Sequence, residues 1–176
     1  MRDSGQLLPP PAKVATSVLL LACACGGAPF DGAVYRGDGY AFRIAERPAS
    51  WKQIEVSDAA LAYRDTTNDA TIAVNARCGR DGEDVPLSSL TQHLFIMFTE
   101  REMVSQEVVP FDGREAMHTV AVAKLDGVPK KFDVWVMKKD GCVYDLYYFA
   151  QPHRYEAGVS EFRRFVGGFA TVSNGS

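Results

Sequence analysis

The chain has 176 residues, of which 47% are hydrophobic and 23% charged, and a formal net charge of −3. That charge leaves no basic footprint, so nucleic acid is excluded as an expected partner, and the apolar content excludes a disordered chain. No apolar run after the amino-terminal one could span a bilayer, and no repeat or low-complexity block is visible.

Arg2 and Lys13 precede an apolar run over 14–22, interrupted only by Thr16 and Ser17. A helix crossing a bilayer needs roughly 20 residues. The run is too short for that and matches the apolar region of a secretory signal, about 7–15 residues followed by small ones. Its end, Leu20-Leu21-Ala22-Cys23, resembles the lipobox of bacterial lipoproteins. The resemblance implies cleavage before Cys23, a diacylglyceryl thioether on its sulfur and a further fatty acyl group, such as palmitate, on the new terminus. Several chains anchor far more firmly than one, because each buried CH₂ adds about 0.8 kcal/mol. Three other readings stay open: an ordinary cleaved signal, a short buried helix with incidental cysteines, or Cys25 as acceptor, whose preceding Ala22-Cys23-Ala24 fits the pattern less well. Ala24, in place of an Asp after Cys23, leans the expected address to the outer rather than the inner membrane. Residues 1–22 are thus assigned to a signal and 23–38, rich in Gly and small residues, to a flexible tether.

The remainder, about 150 residues, suits one domain with its own core, placed at 39–170 with 171–176 as a disordered tail. Tyr40, Phe42 and Ile44 alternate with period two, the signal of a half-buried strand. "ERPASWKQI" reads as a turn, with Pro48 blocking pairing and Trp51 packing back on the domain. Leu61 and Tyr63 mark a second strand, "TTND" a turn, and Ile72, Val74, Ala76 and Cys78 a third, with Asn75 and Arg77 outward and Cys78 inward. A helix follows the acidic loop "RDGEDVP". Ser89 and Gln92 have capping-box spacing, and Leu90, Leu94, Met97 and Phe98 form an apolar stripe that ends near Arg101.

Three hairpin-like units come next. "EMVSQEVVPF" and "REAMHTVAVAKL" flank Asp112-Gly113, and "KKFDVWVMKK" and "CVYDLYYFA" flank Asp140-Gly141. Asp-Gly between strand patterns signals a tight hairpin, since both residues tolerate positive φ. "LDGVP" joins the middle pair. Tyr155, Val159, Phe162 and Phe165 or Val166 recur at helical spacing over 152–166, and Gly167-Gly168 supply the stop. Three strands, a helix, four strands and a helix predict an α+β domain: a single antiparallel sheet of about seven strands with two main helices packed on it.

Candidate chemistry is sparse. His93, His118 and His153 have no metal ligand at close spacing, and no nucleophile elbow, zinc motif or phosphate loop is present. No catalytic residue, metal or cofactor is expected, and the chain reads as a non-enzyme. Asp81, Glu83 and Asp84 lack the pattern of a calcium loop and read as solvated. Tyr144, Tyr147, Tyr148 and Phe149 must occupy both faces of one strand. They are either covered on each side or present a partner surface. Cys78 and Cys142 meet oxidising conditions in an exported protein, which favours a disulfide. Two buried thiols are the other reading.

The stretch 40–169 resembles the PsbP-like domains, including DcrB-type bacterial lipoproteins. The resemblance rests on "YAFRIAERPASWKQ", "DATIAV", "FDGREAM", "KKDGCVYDLYYFA" and "YEAGVSEFRRFVGGF". It implies a lipid-anchored accessory or interaction module that helps assemble or stabilise a membrane-associated envelope complex. Its partners would be the membrane, through Cys23, and an envelope protein. The alternative is a periplasm-facing binding protein for a small apolar ligand. A cavity lined by the aromatic strand favours the second reading, and an exposed aromatic face without one favours the first.

Overall fold

The computed structural model describes residues 30–79 and 85–173. In chain order these form β1 (Val34–Arg36), β2 (Ala41–Arg43), β3 (Trp51–Ile54), β4 (Leu61–Asp65), β5 (Ala70–Cys78), α1 (Leu87–Leu94), β6 (Thr99–Phe111), β7 (Arg114–Leu125), β8 (Val128–Lys139), β9 (Cys142–Ala150), α2 (Pro152–Gly167) and β10 (Ala170–Thr171). Cys23, Cys25 and the acidic residues Asp81, Glu83 and Asp84 lie outside the described residues.

The alternating apolar patterns become a seven-stranded antiparallel sheet ordered β3-β4-β5-β9-β8-β7-β6. Its long central ladder is built from two-residue turns. Asp112-Gly113, Asp126-Gly127 and Asp140-Gly141 all have positive φ at both positions, the backbone that matches the right-handed twist of flanking strands. "LDGVP" thus forms the middle hairpin with a turn of the same kind, closing Leu125 on Val128.

The expected single sheet needs correction. The strand around Phe42 does not join the main ladder. It pairs with β1 and β10 in a separate three-stranded sheet, β1-β2-β10. Among the described residues, β1 thus lies inside the stretch 23–38 assigned to a tether, and β10 reaches Thr171 in the stretch assigned to a tail. The cause is aromatic packing: Phe42 stacks on Phe169 at 5.4 Å and meets Tyr144 edge-on at 6.4 Å. The small sheet therefore covers one end of the main sheet's face instead of extending its edge. Asp112, in the β6–β7 turn, fastens it there by accepting bonds from the Thr171 amide (2.9 Å), the Thr171 hydroxyl (2.8 Å) and Lys139 Nζ (2.9 Å). Burial raises the Asp112 carboxyl, but these donors outweigh it and the net pKa is lowered.

The segment read as a turn around Trp51 is also corrected. Pro48 ends pairing before it, and 51–54 form the edge strand β3, with Trp51 buried against Tyr63 and Phe165.

The two helices take opposite faces and cover them unequally. On α2, Tyr155, Val159, Phe162, Phe165 and Val166 are buried against β5, β8 and β9, each large side chain contributing about 1.5–3 kcal/mol by leaving water. On the other face, α1 spans only eight residues. Its N-cap is Pro86 and makes no side-chain capping bond, so the Ser89–Gln92 spacing is not used. It stops at Leu94 instead of reaching Arg101, because Thr99 already pairs with Lys124 at the start of β6. Long-range pairing overrides the local helical stripe. Leu90 and Phe95 remain buried, while Met97 is left 81% exposed.

Candidate functional site

The α2 face holds the densest charged cluster, and it is closed. Asp133, on β8, is fully buried. Its Oδ1 accepts bonds from His118 Nε2 on β7 (3.0 Å) and Trp135 Nε1 (2.8 Å). Its Oδ2 accepts from the Tyr155 hydroxyl (3.0 Å) and from Arg163 Nε and a terminal guanidinium nitrogen (2.9 and 2.7 Å) on α2. His118 stacks on Trp135 with ring centroids 4.3 Å apart, and Lys131 lies over the Tyr155 ring. Burial raises the Asp133 carboxyl, but His118 and Arg163 more than offset it and hold the pKa low. Burial lowers His118, but Asp133 more than reverses this and its pKa is raised. With four side chains fixed on one wholly buried carboxylate, the cluster is a brace between sheet and helix.

The α1 face is open. Beyond Leu94 the sheet floor is lined by Phe132 and Val134 of β8 and by Tyr147 and Phe149 of β9. Leu94, Phe95, Met97 and Phe98 form the wall, and Asp58 and Asn75 lie at the margin. They enclose a cavity of about 440 Å³. The rings interlock, with Phe132 meeting Phe95 at 5.3 Å, Phe98 at 5.0 Å and Phe149 at 5.4 Å, contacts that fix the shape of the wall. A second hollow of about 420 Å³ lies across Leu94, lined by Arg77, Val85, Ser89, Leu90, His93 and Leu94.

Polar groups gather on the floor between the two. Asn75 and Asp145 are register partners of β5 and β9. The Arg77 guanidinium pairs with Asp145 Oδ2, and the Asp145 side chain is wholly buried. Burial pushes its carboxyl above the ordinary range, with Arg77 opposing. Asp145 Oδ1 and Asn75 Oδ1 are buried with no hydrogen-bond partner among the described residues. Burial likewise raises the Tyr147 phenol, opposed by the Asn75 amide.

The four aromatics of the candidate partner surface are split. Tyr144 and Tyr148 are buried under the small sheet and α2 and offer no surface; only Tyr147 and Phe149 reach the open face. Cys78 and Cys142 are register partners joined by a disulfide. Cys142 is buried, but Cys78 is exposed at the strand end instead of pointing into the core. His118 belongs to the brace, and His93 and His153 are exposed. Among the described residues, no cluster of metal-ligating side chains is present, and no helix is long and apolar enough to cross a membrane. Asn75, Arg77, Asp133 and Asp145 carry the polar architecture and were not candidate site residues. Their signal was a charged or amide side chain inside a strand apolar on both faces, as in "KFDVWVM" and "VYDLYYF".

No family model and no curated protein matches the chain in sequence. Among solved structures, it is similar to cyanobacterial PsbP (CyanoP) from Synechocystis, with a TM-score of 0.58 at 14% identity, covering 87% of this chain and 99% of that one. A crystal structure from Bacteroides thetaiotaomicron aligns with a TM-score of 0.56 at 11% identity, over 84% of this chain and 51% of that one. LpqN, described as involved in cell envelope biogenesis of Mycobacterium tuberculosis, aligns with a TM-score of 0.53 at 15% identity, over 77% and 87%. At such identities the likeness establishes a PsbP-like fold and transfers no residue role.

Proposed function

We propose that this chain is a lipid-anchored, non-catalytic accessory module of the cell envelope that works by binding at the open α1 face. The observation that carries the reading is the unequal cover of the sheet: one face is closed by α2, and the other keeps a cavity of about 440 Å³ walled by Phe95, Phe98, Phe132, Tyr147 and Phe149. A lipobox at Cys23 and the similarity to LpqN support an envelope setting. The anchor supplies position, and the open face supplies contact. A concave, mostly apolar hollow suits a small apolar ligand or a short apolar group better than a flat protein surface does, so the ligand-binding form of the reading stands first and the protein-docking form second.

The test is in-cell photo-crosslinking from position 97, at the rim of the cavity, beside a control probe at the exposed Arg154 of α2. Each runs in the native background and with Cys23→Ala. Capture of a low-mass apolar molecule from position 97 alone supports the reading. One dominant protein captured there reverses the order of the two forms. Equal labelling from both positions refutes a binding role for the α1 face. Unchanged membrane retention of the Cys23→Ala chain refutes the anchor.

A further inference from the structure

The larger hollow is rich in rings and one-sided in charge. Phe95, Phe98, Phe132, Tyr147 and Phe149 wall and floor it. Tyr147 and Phe149 stand side by side on β9 with centroids 6.3 Å apart, and both are half-buried, so part of each ring borders the hollow. Among the described residues, Asp58 is the one charged side chain that lines it, and no lysine, arginine or histidine does. Asp58 is exposed and forms no ion pair among the described residues. Arg77 and His93 line the neighbouring hollow across Leu94, and Arg77 is already paired with Asp145. An aromatic ring is negative over its face and draws a cation set there. A carboxylate at the margin attracts the same cation and repels an anion. A neutral molecule gains from neither.

Resting on the ligand-binding form of the proposed function, we infer that the hollow takes a small amphipathic cation, an alkyl or arylalkyl ammonium. Its apolar body lies among Phe95, Phe132, Tyr147 and Phe149, and its ammonium sits at the margin beside Asp58. The apolar body supplies affinity through the area it removes from water. The charged head supplies the discrimination, and a carboxylate on the same chain is refused.

The experiment compares octylammonium, octanol and octanoate, three probes of equal carbon count, on the full chain carrying Cys23→Ala so that no acyl group of its own competes. Binding is followed by NMR shifts of the Tyr147 and Phe149 rings. Octylammonium is expected to bind about fivefold or more tightly than octanol, the combined worth of an exposed charge pair and a cation held against rings. Octanoate is expected to bind more weakly than octanol. Asp58→Asn removes the charge and keeps a side chain that tolerates the left-handed backbone at this position, where φ is 65°. It is expected to weaken octylammonium about threefold, to strengthen octanoate and to leave octanol unchanged. Octylammonium binding no tighter than octanol overturns the inference and leaves binding in the hollow intact. A preference for octylammonium that Asp58→Asn leaves unchanged overturns it too, because the attraction then comes from the chain's net charge of −3 at large. Failure of all three probes to shift the two rings overturns the ligand-binding reading itself. The order of the three affinities without the Asp58 substitution is read first, so a folding fault in that variant does not obscure it.

Discussion

Arg163 on α2 reaches across to Asp133 on β8 and donates two hydrogen bonds to one carboxylate oxygen, at 2.9 and 2.7 Å, while the carboxylate itself is wholly buried. The same oxygen takes the Tyr155 hydroxyl from one end of the same helix. Asp133 thus fixes α2 on the sheet at two points about two turns apart. The helix cannot slide or rotate without breaking a bond inside the protein.

Removal of this acceptor should be severe. Asp133→Ala leaves Arg163, Tyr155, Trp135 and His118 without their common partner. Removing one side of a buried ion pair costs about 3–5 kcal/mol. The expected result is a fall of that size in the unfolding free energy obtained from urea titration, with Arg163→Met costing less, because the Arg163 side chain is half exposed. A loss under about 1 kcal/mol for Asp133→Ala, the scale of a surface pair, would mean that the brace is ornamental.

The same cluster gives the stability a pH dependence of known sign. Burial disfavours the charged His118, but Asp133 more than compensates, and the folded pKa lies above the ordinary 6.5. The protonated imidazole therefore contributes stability in full below that ordinary value, and the contribution is lost as pH rises through the folded value. Thermal midpoints should fall as pH rises above the ordinary 6.5 in the native chain, and fall less in His118→Gln. The depressed Asp133 carboxyl acts in a separate window, losing its contribution only as pH falls below the usual carboxylate range. A midpoint that rises over the alkaline interval in the native chain, relative to His118→Gln, would reverse the assignment.

How much of this was legible in the sequence depends on the range of the forces involved. The Asp-Gly hairpins and the α2 stripe were readable because a turn's backbone demand and a helix's apolar spacing are local. The end of α1 was not, because residues 96–98 continue a helical stripe and only the pairing of β6 with β7 breaks it. The small sheet was not readable either: "YAFRI" has the same period whichever sheet it joins, and Phe169, which recruits it, lies far along the chain. Asn75 and Arg77 were placed outward by their polarity. They do lie on the face opposite α2, at the two hollows beside α1, and the one local sign of a buried polar group there was the charged Asp145 inside the apolar run "VYDLYYF".

The Cys78–Cys142 disulfide joins the ends of two central strands across a sequence separation of 64. A bridge over a loop of that length stabilises chiefly by restricting the unfolded chain, with a typical worth of about 2–4 kcal/mol. The double variant Cys78→Ser, Cys142→Ser should lose that amount in denaturant, while the far-ultraviolet spectrum is kept because the ladder between β5 and β9 continues without the bridge. Peptide mapping of the non-reduced exported chain should find neither thiol open to alkylation. Two alkylated cysteines at 78 and 142 would show the pair to be free.

Two glycines of α2 should respond in opposite directions to the same substitution. In a helix, Gly→Ala ordinarily stabilises by up to about 1 kcal/mol, because glycine loses more backbone freedom on folding. At Gly158 an added Cβ would lie 2.6 Å from the Tyr148 hydroxyl oxygen and 3.1 Å from Asn68 Nδ2. Neither neighbour is free to yield. Tyr148 is fully buried and stacked on Phe162, with its hydroxyl donating to the Tyr155 carbonyl, and Asn68 is held by Asp65 at 2.7 Å. Gly158→Ala must push α2 off β9 or break these bonds, so it should destabilise by about 1–3 kcal/mol, the usual cost of overpacking. At Gly167 the added methyl meets nothing within 4 Å, and Gly167→Ala should be neutral or stabilising by no more than the ordinary gain. Paired urea titrations measure both. Equal shifts at the two positions would mean that α2 sits farther from β9 than the Gly158–Tyr148 approach requires.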